Sequence, residues 1–284
     1  VTGPEGGREP VRLRLDLAYD GTGFHGWAVQ PGVRTVAGEL TAALARLFGA
    51  GGAGGLTVAG RTDAGVHATG QVAHVDIATT MPAGELVRRL AGVLPPDLRV
   101  TGAVVVGPDF HARFSALARR YAYRVSDAPY GVLPLRRRDT LAWPRPLDQA
   151  ALNAAAAGLV GQHDFAAYCR HNPDRTTIRE VTGLDWRRDP DGVLVATVVA
   201  DAFCHSMVRS LVGAMLLAGD GRRPSHWPAG LLARRERAGE VRVAPAHGLT
   251  LVGVDYPDSP DGWAARARVT RRRRGEARPA ERDR

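Results

Sequence analysis

Apolar residues recur at every second position in VRLRLDLAY, with Val11, Leu13, Leu15, Leu17 and Tyr19 on one face; this is the period of a half-buried strand. The glycine-rich stretch DGTGFHGW breaks that alternation and reads as a loop. From Thr35 the period lengthens. Val36, Leu40, Ala43, Leu44 and Leu47 form one helical stripe, with Thr35 at the N-cap, Glu39 near the first turn and glycines from Gly49 onward ending it. A short strand over 56–59 runs into GRTDAGVHATG, and QVAHVDIA then alternates again, which sets that motif on a loop between two strands. A helix over 84–93 stops before Pro95 and Pro96, and a strand covers 98–106.

The pattern restarts after Gly107 and Pro108, where Leu117, Arg119, Tyr121, Tyr123 and Val125 share one strand face. A helix over 148–161 follows, then a hairpin turning through Asp189, Pro190, Asp191 and Gly192 into VLVATVVA. A helix over 203–219, a short helix near Leu231 and a last strand, LTLVGVDY, complete the series. The element orders of the two stretches are similar. They predict an α+β chain of two similar α/β halves, residues 1–107 and 108–257, with no repeat at the level of residues. Residues 258–284 are rich in Arg with little to bury, and predict a disordered basic tail.

With 44% hydrophobic and 24% charged residues over 284 positions, a packed core is expected. All 38 basic residues are Arg, which excludes mechanisms that need a Lys amine, such as a Schiff base or a Walker-type phosphate loop. The formal charge is +9, of which the tail holds +4, so the body is still basic. Such a balance favours a polyanionic partner, and nucleic acid is the usual one. No apolar run approaches the roughly 18 residues that span a bilayer. Cys169 and Cys204 make no disulfide framework, and the N-terminal residues lack the apolar region of a signal peptide. The expectation is a soluble cytoplasmic protein without membrane contact.

Residues 60–67, GRTDAGVH, set Asp63 and Arg61 on a tight turn within a ligand's reach. Asp followed two residues later by Gly is also ordinary turn chemistry. A guanidinium near a lone carboxylate favours its ionised form, and an ionised Asp without a second acid suits nucleophilic work better than paired acid–base work. On the strand 117–125, Arg119, Tyr121 and Tyr123 could offer a stacking surface for RNA bases flanked by charge; both tyrosines could equally be core. In FCHSMVRSLVGAMLLAG, His205 and Arg209 stand four apart on one flank of the expected helix. His67, His74 and Asp76 raise the possibility of a metal, but they lack recognised metal-ligand spacing, so no metal site is expected. Neither a G-x-S-x-G elbow nor a dinucleotide fingerprint occurs.

YDGTGFHGW, GRTDAGVHATGQVAH, DFHARFSALARRYAYRV, GQHDFAAYCR, RTTIREV from Arg175, FCHSMVRSLVGAML and APAHGLTL follow one another in an order that resembles the tRNA pseudouridine synthase A family over most of residues 11–257. The resemblance implies a pseudouridine-synthase-type catalytic cleft built by two α/β halves with antiparallel sheets. It implies a homodimer that binds the anticodon stem-loop of tRNA and isomerises uridine at positions 38, 39 and 40 without cofactor or metal. It also implies site residues: Asp63 as the catalytic Asp, Arg61 as its motif neighbour, Tyr121 as the Tyr that stacks on the target uracil, Arg209 as the Arg that pairs with the Asp, and Leu249 as the apolar wall of the base. Ala28 and Ala37 stand where Gln is common, and Ser206 and Ser210 replace a frequent His and Asn.

The chemistry fits these residues. Asp63 would attack carbon 6 of uracil or carbon 1 of ribose, and Arg209 and Arg61 would hold the carboxylate ionised or grip phosphate. Tyr121 would stack on the flipped base, with Arg119 and His205 as further substrate contacts. The competing readings are a catalytically silent RNA-binding or RNA-folding protein and a metal-assisted RNA hydrolase.

Overall fold

The computed structural model describes residues 9–51, 53–170 and 176–275. In chain order the elements are β1 (Val11–Tyr19), α1 (Val36–Phe48), β2 (Thr57–Val58), β3 (His67–Ile77), α2 (Ala83–Val93), β4 (Leu98–Val106), β5 (Ala118–Ser126), β6 (Leu141–Ala142), α3 (Gln149–Ala157), β7 (Gly161–Asp164), β8 (Ile178–Arg188), β9 (Leu194–Ala200), α4 (Met207–Gly219), α5 (Trp227–Gly230), β10 (Leu249–Asp255) and α6 (Pro260–Gly275). They fall into two units, Val1–Ala116 with Tyr256–Ala267, and Leu117–Asp255 with Arg268–Arg284. The first unit therefore takes back a segment that follows Asp255 in the chain.

In the first unit β1 alternates as expected, with Leu13, Leu15, Leu17 and Tyr19 buried. It lies between β4 and β3, antiparallel to both, and β2 pairs with β3. Leu13 faces Val75 and Leu15 faces Ala73 across the strands, which makes a continuous apolar face. Thr35 caps α1 by accepting the Gly38 amide, and α2 packs on β4 and α1. On the other face Arg12 stands opposite Asp76 and donates to both carboxylate oxygens, at 2.7 and 2.8 Å. That bond holds the Asp76 carboxyl below the usual carboxylate range. Nη1 of Arg12 also reaches the carbonyls of Pro108 and Phe110. Beside this pair His74 is buried, and its Nδ1 accepts the Ala112 amide at 3.0 Å. Burial first, then the neighbouring Arg12 and His111, push its pKa down to about 4 against the pull of Asp76.

The expected disordered tail is overturned over Pro260–Gly275, which is helical. The physical reason is aromatic anchoring. Tyr256 and Trp263 pack on buried Phe110, with ring centroids 5.0 and 5.2 Å away. The Trp263 indole donates to the Pro257 carbonyl, while Ser259 Oγ accepts the Gly262 amide at the helix start. Residues 276–284 lie outside the described residues, as does Arg175 of the RTTIREV stretch.

In the second unit the strand order is β10-β5-β9-β8-β7, all antiparallel, with β6 added parallel to β5. The hairpin of β8 and β9 turns at 189–193, where Asp189 accepts the amides of Asp191 and Val193. A bulge between Val181 and Gly183 shifts the buried phase of β8, so Val181, Leu184 and Trp186 all point inward. Asn153 of α3 exchanges two hydrogen bonds with the Trp186 backbone and fixes α3 on β8.

Two helix boundaries differ from those expected. The helix placed at 148–161 ends at Ala157, and Gly161 opens β7. The helix placed at 203–219 begins only at Met207, because Ser206 adopts the left-handed conformation with φ 62°. His205 thus lies outside α4 and does not share its flank with Arg209. Cys169 and Cys204, distant in sequence, are brought to a Cα separation of 5.7 Å and form a disulfide, where none was expected. α4 is buried on nearly every side, and a methyl on Gly213 would strike the Arg242 carbonyl.

Two predictions follow from this packing. His74 titrates near 6.5 when unfolded, so on acidification the unfolded chain takes up its proton first. Its stabilising contribution is complete above pH 6.5 and is lost as pH falls toward 4. Urea denaturation should show a loss on the order of 2–3 kcal/mol between pH 7 and pH 4.5 from this group, and His74→Gln should flatten that slope. Gly213→Ala should cost about 1–3 kcal/mol, whereas Gly92→Ala, facing open space in α2, should stabilise by roughly 0.5–1 kcal/mol in the same assay.

Candidate active site

Residues 59–66 connect β2 to β3, and β2 is short because the chain must leave the sheet to make this turn. Val66 donates its amide to the Asp63 carbonyl at 3.2 Å, and Gly65 has φ +77°. A β-turn with positive φ at its third residue and none at its second is type II, which calls for Gly at that place. The turn is held from several sides. The Trp27 amide donates to the Thr62 carbonyl at 3.1 Å, and the Gly65 amide to the Phe24 carbonyl at 3.2 Å. Gly21 donates its amide to Nδ1 of buried His67 at 3.0 Å. Thr62 Oγ1 meets the Tyr19 hydroxyl at 2.8 Å, and Gln71 Nε2 reaches both that hydroxyl and the Gly60 carbonyl. Burial pushes the Tyr19 pKa up to about 12. Around this clamp Thr62 is buried, Asp63 half-buried and Arg61 exposed.

The loop that grips the turn is itself anchored. Arg34 donates twice to Asp97 and once to Glu39, and its guanidinium lies 4.2 Å from the Phe24 ring centroid. The Asp97 carboxyl is held low by that pairing. Of the residues weighed as metal ligands, His67 takes the Gly21 amide, His74 takes the Ala112 amide and Asp76 takes Arg12. Among the described residues no three His, Cys, Asp or Glu side chains are grouped to hold a metal ion.

In the second unit the expected face of β5 is present over Arg119, Tyr121, Tyr123 and Val125, all buried, whereas Leu117, expected on it too, lies before the strand and is exposed. Their settings differ. Tyr123 is fully buried, donates to the Pro245 carbonyl at 2.8 Å and rests against Gly248, so it is a core residue whose pKa burial raises. Tyr121 lies opposite Val198 and Leu251 and meets Phe203 edge-on, with centroids 5.2 Å apart. Leu249 opens β10 opposite Tyr123, on the face it shares with Tyr121. Arg119 Nη1 bonds the Asp201 carbonyl at 2.6 Å, so this side chain turns inward and fixes the start of the 201–206 loop. His205 is exposed on that loop, and its carbonyl accepts the Arg170 amide.

Arg209 projects from the first turns of α4, where its Nε donates to the Ala244 carbonyl at 2.7 Å while the Ala244 amide returns a bond to the Arg209 carbonyl. This reciprocal tie sets the height of its guanidinium. The structure thus sets Phe203 against Tyr121, puts Leu249 on the same sheet face opposite Tyr123, and places Asp63 and Arg61 on a clamped turn of the first unit. Phe203 carried a signal in the sequence only as one more apolar helix position. Tyr19 and Gln71 had a clearer one: each puts a polar atom in the buried phase of a strand.

The family model for tRNA pseudouridine synthases matches residues 155–257. A tRNA pseudouridine synthase A of Frankia casuarinae is 62% identical, covering 92% of this chain and 94% of its own length. One of Streptomyces griseus is 57% identical over 87% of this chain and 88% of its own, and one of Mycobacterium leprae 50% over 95% and 98%. The chain belongs to the tRNA pseudouridine synthase A family.

Proposed function

We propose that this protein isomerises uridine to pseudouridine at positions 38, 39 and 40 in the anticodon arm of tRNA, acting as a cytoplasmic homodimer without cofactor. The observation that carries the reading is the clamped type II turn, which presents Asp63 at fixed geometry in a chain of this family. The reaction breaks the bond between ribose carbon 1 and uracil nitrogen 1, turns the base and rejoins it through carbon 5. The carbon-5 proton leaves, and nitrogen 1 ends protonated.

Asp63 serves as nucleophile, at uracil carbon 6 or ribose carbon 1, and the turn spares it the cost of being oriented at the moment of reaction. Tyr121 stacks on the flipped base, its own ring steadied by Phe203. Leu249 walls the base on the same face. Arg209 supplies a charge whose position is set by Ala244, and Arg61, exposed beside the turn, meets RNA phosphate. His205 contacts substrate from the exposed loop, and Arg119 acts through that loop by holding Asp201.

The test uses tRNA carrying tritium at uridine carbon 5, incubated with the protein and EDTA. Wild type should release tritium; Asp63→Asn should release at least about 10³-fold less while binding tRNA within severalfold of wild type. Release by Asp63→Asn at the wild-type rate would sink the assignment, and binding without release by wild type would point to a silent RNA binder. Loss of release in EDTA, restored by a divalent ion, would favour metal-assisted chemistry. Separately, Arg271 and Arg272, exposed on α6, should contribute to RNA affinity. Replacing both with Gln should flatten the slope of log Kd against log salt by about 1–2.

A further inference from the structure

Tyr19, Thr62 and Gln71 form a chain of polar atoms inside an otherwise apolar face. Gln71 stands on β3 opposite Leu17, in phase with Ala73, Val75 and Ile77, and none of it is exposed. Its amide nitrogen can only donate, and it does so to the Gly60 carbonyl at 2.9 Å and to the Tyr19 hydroxyl at 3.2 Å. Its Oε1 accepts the Val72 amide. The Tyr19 hydroxyl, receiving Gln71, also bonds Thr62 Oγ1 at 2.8 Å, a contact in which either hydroxyl can donate.

We infer that these three are positioning residues for Asp63. Two neighbouring strands of the sheet, β1 and β3, carry Tyr19 and Gln71, and their partners are residues 62 and 60 of the turn. A core needs no such group on this face; Leu and Val fill the same phase elsewhere on β1 and β3. A buried polar atom costs stability unless it is bonded, so the arrangement sacrifices apolar packing to hold two points of the turn, the Gly60 carbonyl and the side chain of Thr62, which adjoins Asp63. The network thereby transfers the rigidity of the sheet to the carboxylate's attachment point. Misplacement of a reacting group by about 1 Å can cost on the order of 10²-fold in rate. The inference rests on the reading of Asp63 as the nucleophile.

The experiment measures single-turnover tritium release, tRNA affinity and amide hydrogen exchange in Tyr19→Phe, Thr62→Val and Thr62→Ser, with Asp63→Asn as reference. Tyr19→Phe and Thr62→Val should slow release by roughly 10- to 100-fold with tRNA affinity within about twofold of wild type. Thr62→Ser, which keeps the hydroxyl, should recover to within about threefold. Amides of 62–66 should exchange faster in the slow variants and be as protected as those of β3 in wild type. Wild-type rates in Tyr19→Phe and Thr62→Val would overturn the inference, as would Thr62→Ser as slow as Thr62→Val, or rate losses that only follow weaker tRNA binding. Should the variants not fold, rapid wild-type exchange at 62–66 overturns it and protection there supports it. If Asp63→Asn releases tritium normally, the nucleophile reading fails, and the exchange data still judge the clamp by itself.

Discussion

At Gly21 the backbone passes so close to the Val66 carbonyl that no side-chain carbon fits between them, and at Gly26 a Cβ would come within 2.9 Å of the Thr62 carbonyl. This approach of main chain to main chain is the constraint from which the Asp63 turn follows. With side chains at those two places, the amides of Gly21, Trp27 and Gly65 could not reach their acceptors on the facing segment. Gly26 has φ +86°, a further reason that no other residue serves there. The flexibility such glycines bring to an unfolded chain is a cost. It is met here by dense bonding, including the double grip of Arg34 on Asp97.

The second unit uses a related device. Gly213 admits the Arg242 carbonyl onto the surface of α4, and Ala244, two residues on, exchanges two hydrogen bonds with Arg209. In both units a glycine lets a neighbouring backbone come close, and the residue of chemical interest is fixed by main-chain partners rather than by other long side chains. Backbone groups have few conformations to lose, so they are economical anchors for a charge that must stay in place.

Strands with one buried face were legible because their alternation survives into the structure: β1 and β9 keep it throughout, and β5 keeps it as far as Val125, after which Ser126 is buried too. The cap Thr35 and the turn at Asp189 also act as their sequences suggest, and Asp148, where a helix was expected to start, caps α3. The site motif was legible as residue types on a turn. What the pattern could not carry was anything decided by distant partners. Ser206 reads as helical in an apolar run, yet it takes a left-handed conformation that no local pattern announces. The pairing of Cys169 with Cys204 and the anchoring of Trp263 on Phe110 depend on segments far apart in sequence. Arg119 alternates with tyrosines as an RNA-binding strand would, but its partner is the carbonyl of Asp201, invisible until β9 is in place.

The return of Tyr256–Ala267 to the first unit has a consequence for the order of events on the ribosome. Phe110 and Ser115 belong to a unit whose remaining pieces, Tyr256 and Trp263, emerge only after Leu117–Asp255 of the second unit has been made. At about 5–20 residues per second, the interval is roughly 7–30 s. During it the apolar ring of Phe110 lacks its two aromatic covers, and the Ala112 carbonyl lacks the Tyr256 hydroxyl. The chain must therefore carry an unfinished first unit through the synthesis of Leu117–Asp255.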